Sequence, residues 1–174
     1  MTTPLEPDTK DWTWVLDRAC PECGFLASDV DPAAIPAALR ASVPRWTEAL
    51  ARTDARERPD ASTWSVLEYG AHTRDVHRIF GERLRLILEE DDPQFPDWDQ
   101  DATAVEERYD LQDPAVVAVE LARAAEEAAE RFAGVPDDAW ERPGRRSNGS
   151  AFTARTLGAY YLHDVVHHLH DVHA

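Results

Sequence analysis

The sequence predicts an all-α fold: an antiparallel four-helix bundle over residues 31–174, carrying an irregular N-terminal arm over residues 1–30. Three observations carry that prediction. Alanine, leucine, glutamate and arginine recur at helical spacing through most of the 174 residues. Nowhere do β-branched residues alternate with polar ones for long enough to argue for a sheet. Aspartate–proline pairs, a glycine and paired acids cut the periodic stretches into four long segments with short connections, the arrangement of a bundle.

The first helix starts at Asp31-Pro32, an N-cap followed by proline in the first turn, and runs to about Arg52. Pro36 and Pro44 are expected to interrupt it, giving a short helix before the main one. Ser62 or Thr63 caps the second, which spans Trp64 to about Glu90 with an apolar stripe that includes Val76, Ile79, Phe80, Leu84 and Ile87. Asp91, Asp92 and Pro93 end it, and the loop that follows is ordered because Phe95 and Trp98 give it something to bury. After a short turn from Thr103 to Tyr109, the third helix begins at Asp113-Pro114 and stops at Ala133 before Gly134. A loop, "ERPGRRSNGSAF", leads to the fourth helix, from about Thr153 onward.

The 18 basic and 34 acidic residues leave a formal charge of −16. Such a surface repels phosphate backbones and anionic headgroups, so neither nucleic acid nor a membrane surface is an expected partner. No stretch is long and apolar enough for a membrane span, and "MTTPLEPDTK" lacks a leader pattern, so the expected compartment is the cytoplasm. A small-molecule ligand or a metal remains open, as does a homodimer through an exposed bundle face.

Five of the seven histidines fall within the eleven residues from His163 to His173. The apolar stripe of this helix is centred on Leu162, with Val165, Val166, Leu169 and Val172 around it. His163, His167 and His170 share one flank of that stripe, while Asp164, His168 and Asp171 point the opposite way. His163 and His167, at i and i+4, place two imidazoles one turn apart, within reach of one metal ion. His72 on the second helix lies in register with Val76 and Ile79 and faces inward at a matching level, while His77 is turned away. The expected metal site is therefore His72, His163 and His167, with His170 as a spare candidate.

The segments "WSVLEYGAHTRDVHRIF" and "YYLHDVVHHLHDV" resemble the DinB/YfiT-like metalloprotein superfamily, which includes mycothiol-dependent maleylpyruvate isomerases and related thiol transferases. The resemblance covers the chain from about Asp31 onward. It implies an up-down-down-up bundle in which one histidine of helix two and an i, i+4 pair of helix four hold a divalent metal. Those positions correspond to His72, His163 and His167; in some relatives the first residue of the pair is a glutamate. Three imidazoles with open positions make a Lewis-acidic centre that lowers the pKa of a thiol or water. Zinc suits the ligands best, and nickel, manganese or iron are allowed. The resemblance implies mycothiol, bacillithiol or another low-molecular-weight thiol as nucleophile, in a thiol S-transferase or isomerase. The alternative is a non-catalytic, stress-associated metal-binding bundle.

Arg145 and Arg146, just before the last helix, are candidate clamps for a carboxylate or hydroxyls of a cofactor. Asp75, Asp164 and Asp171 are candidates for orienting the ligands. Cys20-Pro-Glu-Cys23-Gly has three readings: an ordinary reduced or disulfide-linked turn, a redox dithiol, or a second zinc site completed by histidines such as His168 or His173.

Overall fold

The computed structural model of the chain describes residues 11–174; residues 1–10, "MTTPLEPDTK", lie outside the described residues. Asp31 caps a 3-10 turn, Pro32–Ala34, by accepting from Ala33 N–H, and α1 (Ile35–Leu50) continues it. Pro44 lies inside α1 and does not interrupt it as expected. Its side is exposed, so water reaches the carbonyl that the missing N–H leaves free, while Leu39 and Trp46 anchor the other side in the core.

The helix α2 (Val66–Glu89) starts later than expected. Ser62 and Thr63 hydrogen-bond to the Asp60 carboxylate, leaving Ser65 to form a reciprocal capping box with Glu68. Phe95 is buried as expected, but through a short strand, β1 (Gln94–Phe95). A short helix, α3 (Gln100–Glu106), and a 3-10 turn, Tyr109–Leu111, occupy the region expected to be a turn. Asp113 caps α4 (Pro114–Ala133), whose bounds match the sequence reading.

The expected loop before the last helix is a hairpin of β2 (Pro143–Arg146) and β3 (Ala151–Thr153). With β1 parallel to β2, it makes a three-stranded sheet of order β1-β2-β3. Thr153 then caps α5 (Ala154–Asp171). The four long helices make the bundle: α4 packs against α1 and α2, α5 against the same two, and α1 and α2 touch only lightly. Ile35, Leu39, Phe80, Phe132, Leu157 and Tyr161 are among the residues filling its core. Among the described residues, no helix is long and apolar enough to cross a membrane.

The described part of the arm lies along α5, through a 3-10 turn at Trp12–Leu16 and another at Ala27–Asp29. That packing decides the geometry of the site. With the arm on one side and α1 and α2 on the others, α5 presents few residues to bulk water.

Candidate metal centre

The run His163-Asp164-Val165-Val166-His167-His168 holds two i, i+4 pairs one residue apart, about 100° apart around the helix. The fold sends them to different neighbours. The donor atoms of Asp164 and His168 gather with those of His72 from α2, while those of His163 and His167 gather with those of Cys20 and Cys23 from the arm; within each group all lie within 4.8 Å of one another. His72 is thus placed with Asp164 and His168 rather than with His163 and His167.

His72 is 0% exposed. Its ring stacks on Trp98, 5.1 Å between centroids and 5° between planes, and packs against Trp64. Neither ring nitrogen has a hydrogen-bond partner, and the same is true of Asp164 Oδ1. Buried groups of this kind are nearly always satisfied, so three of them together mark a missing partner. Asp164 Oδ1 stands 3.6 Å from His72 Nε2 and 3.4 Å from His168 Nε2. Oxygen and nitrogen ligands about 2.0–2.2 Å from an ion stand about 3.3–3.6 Å apart at the corners of a tetrahedron. Asp171 Oδ2 lies 2.9 Å from His168 Nδ1; accepting its proton fixes the tautomer in which Nε2 carries the lone pair that a metal requires.

Electrostatics agree. Burial lowers the His72 pKa, keeping the ring in the neutral form a ligand requires. Burial works against ionisation of Asp164, but His168 and His72 outweigh it and hold its carboxyl at about 2. An ionised carboxylate and the neutral His72 ring thus face one point, with the His168 ring beside them.

In the second group, Cys20 Sγ lies 3.6 Å from His167 Nδ1, and both cysteines are free thiols rather than the disulfide of one sequence reading. Burial, aided by the nearby Cys20, pushes the Cys23 thiol up to about 11. The cysteines meet His163 and His167, not the His168 or His173 expected as partners.

Both groups border one cleft of about 350 Å³, with walls that include Trp12, Trp64, Tyr69, Tyr160 and Asp101. Arg146 touches this wall indirectly, its guanidinium 5.5 Å from the centre of the Tyr160 ring. Arg145 is turned to the surface, paired with Asp92. His170 is exposed, and Asp75 is engaged by Arg74, Arg78 and Tyr109 away from the cleft. His77, expected to be turned away, is buried against the Tyr161 hydroxyl. Sequence reasoning placed Asp164, His168 and Asp171 outward; the signal that would have found them is the second i, i+4 pair inside the histidine run.

Comparison with known proteins fits this architecture. The family model for the DinB superfamily matches residues 38–172. Among solved structures, YfiT from Bacillus subtilis, described as "a probable metal-dependent hydrolase with an unusual four-helix bundle topology", is similar with a TM-score of 0.71 at 18% identity, over 81% of this chain and 85% of that one. No curated protein matches the chain. A bundle of this shape, with the family model spanning it from α1 to the end of α5, leaves one assignment: the chain belongs to the DinB superfamily.

Proposed function

We propose that this chain is a divalent-metal-dependent enzyme whose ion is held by His72, Asp164 and His168, and that it activates a low-molecular-weight thiol, such as mycothiol or bacillithiol, for S-transfer or thiol-assisted isomerisation. The observation that carries the reading is His72, a ring shut off from water with no partner for either nitrogen, facing a carboxylate and a second imidazole at ligand spacing. This set keeps the α2 histidine expected from the sequence and moves the α5 pair on by one residue. A carboxylate at the first position of that pair matches the variation that the family resemblance allows. The same resemblance supports an up-down-down-up order for the four long helices.

Two imidazoles and a carboxylate leave coordination positions open, and an ion there would lower the pKa of a thiol or water entering the cleft, supplying a nucleophile near neutral pH. Zinc is the proposed metal, and manganese, iron or nickel are accepted by the same donors. The protein's part is positioning. Trp98 fixes the His72 plane, Asp171 fixes His168, and the rings of Trp64, Tyr69 and Tyr160 wall a space of the size that small ligands occupy. Arg146, stacked on Tyr160, brings a cation to the back of that wall.

The test is conjugation of a fluorogenic electrophile by mycothiol, bacillithiol or cysteine, catalysed by zinc-loaded protein. Thiol-dependent turnover should appear with wild type and disappear in His72→Ala. Turnover that persists in that variant or after chelation would refute the assignment. The description of YfiT supports a second reading in which water is the nucleophile. It predicts hydrolysis of an activated ester without thiol, lost in the same variant.

A further inference from the structure

We infer that Cys20, Cys23, His163 and His167 form a second, closed zinc site that fastens the N-terminal arm to α5. The four donors come from two segments about 140 residues apart in sequence, and all lie within 4.8 Å of one another. Cys20, His163 and His167 are buried, and Cys23 is half-buried. His163 Nε2 is shut off from water with no hydrogen-bond partner, so the cluster as it stands is incomplete. With zinc–sulfur bonds of about 2.3 Å and zinc–nitrogen bonds of about 2.0–2.1 Å, a sulfur and a nitrogen on one tetrahedron stand about 3.6 Å apart. Cys20 Sγ and His167 Nδ1 stand at 3.6 Å.

The local chain is built for this. Cys20 N–H donates to the Phe25 carbonyl and Gly24 N–H to the Cys20 carbonyl, closing residues 20–25 into a tight turn. Gly24 has φ +75, a left-handed conformation that glycine adopts without strain. The turn places both sulfurs toward α5. There, Phe25 packs edge-on against His163, and Trp12 packs against both histidines. With Nδ1 of His167 on the sulfur side, its Nε2 faces Glu22 Oε2 at 3.3 Å, the carboxylate contact that orients a metal-binding imidazole.

Charge and donor type select the ion. Two thiolates and two neutral imidazoles carry −2, so a dication makes the buried cluster neutral, and thiolate with imidazole is the donor set of structural zinc. Four protein ligands leave no open position, so the site is structural, in contrast to the three-donor group beside it. Its consequence for that neighbour is architectural. Trp12 and Glu22 of the arm border the shared cleft, so the zinc clamp holds one wall of it in place.

The test is metal content and ligand identity in the full-length protein. Elemental analysis after zinc reconstitution should give two ions per chain. Zinc absorption spectroscopy should show sulfur in the first shell at about 2.3 Å. Cobalt substitution should give a thiolate-to-cobalt charge-transfer band that Cys20→Ser/Cys23→Ser abolishes, with loss of one ion of the two. His72→Ala should lose the other ion and keep the band, so failure of the enzymatic reading and failure of this one give different results. If the double-cysteine variant does not fold, the wild-type zinc spectrum decides. A first shell of nitrogen and oxygen alone, or both thiols reacting freely with a thiol reagent in the folded, zinc-saturated protein, would overturn the inference.

Discussion

Replacing Asp171 tests whether the charge that orients His168 matters to metal affinity. Its Oδ2 lies 2.9 Å from His168 Nδ1, and the side chain is 20% exposed. A hydrogen bond to an ionised acceptor contributes about 1.5–3 kcal/mol, and partial exposure favours the lower half of that range. Carboxylates behind metal-binding histidines contribute about 10–100-fold in affinity, or about 1.4–2.7 kcal/mol, which agrees. Asp171→Asn keeps an acceptor and loses the charge, so a drop of about tenfold is expected; Asp171→Ala removes the acceptor as well, and about a hundredfold is expected. The assay is competition for zinc against a chromophoric chelator, with the ion at His72, Asp164 and His168 read separately from a sulfur-ligated one by cobalt substitution. The sulfur-ligated ion should be less affected, because Asp171 Oδ1 is 3.7 Å from His167 Nε2 while Glu22 is nearer at 3.3 Å. Affinities within twofold of wild type for both variants would show that Asp171 does not position His168 for binding.

Three further outcomes follow from the fold. In Gly158→Ala, the new Cβ would lie 2.7 Å from Ile35 Cδ1 and 2.9 Å from Phe132 Cε1. Overpacking of about 1–3 kcal/mol should outweigh the helix-propensity gain and lower Tm by several degrees; an unchanged Tm would mean that the helices have room to part. Ser65→Ala removes the hydroxyl that caps α2 and should cost about 1–2 kcal/mol in urea unfolding, with a loss below 0.3 kcal/mol counting against the capping box. Burial pushes the His77 imidazole down to about 3, so below its ordinary value of 6.5 the unfolded chain takes up a proton that the folded chain refuses. Stability should therefore be fully present above pH 6.5 and fall as pH drops from there toward 3, by up to about 1.4 kcal/mol per unit from this residue. His77→Gln should flatten that slope, and identical slopes in both proteins would remove His77 as its source.

Caps and periodicity made the helices legible, because each is a local interaction. Asp113 and Thr153 sit at the starts read from sequence, since a side chain that accepts from the next turn's N–H needs only its own neighbours. The start of α2 was misjudged where two local options competed: Asp60 captures Ser62 and Thr63, and only Ser65 has a glutamate three residues on. The sheet was illegible because its strands are two to four residues long, too short to show alternation, and β1 gains its partner across some fifty residues of chain.

The histidine run shows why a correct periodicity can still assign ligands to the wrong face. A helical wheel supposes one dry side and one wet side. On α5 the side opposite Leu162 is not wet: the arm covers part of it, and Trp98 and Trp64 close over His72 beside Asp164 and His168. Residues read as solvent-facing thus became half-buried donors grouped with His72, and those on the flank of the core stripe turned to the arm's cysteines. No rule applied to α5 alone separates the two pairs, because the step between them is one residue and both have ligand spacing. The choice is made by what the rest of the chain brings to each side: an imidazole from α2 on one, two thiols from the arm on the other. The Cys-Pro-Glu-Cys-Gly turn and the doubled i, i+4 spacing are therefore one signal in two places, and each half explains what the other lacks.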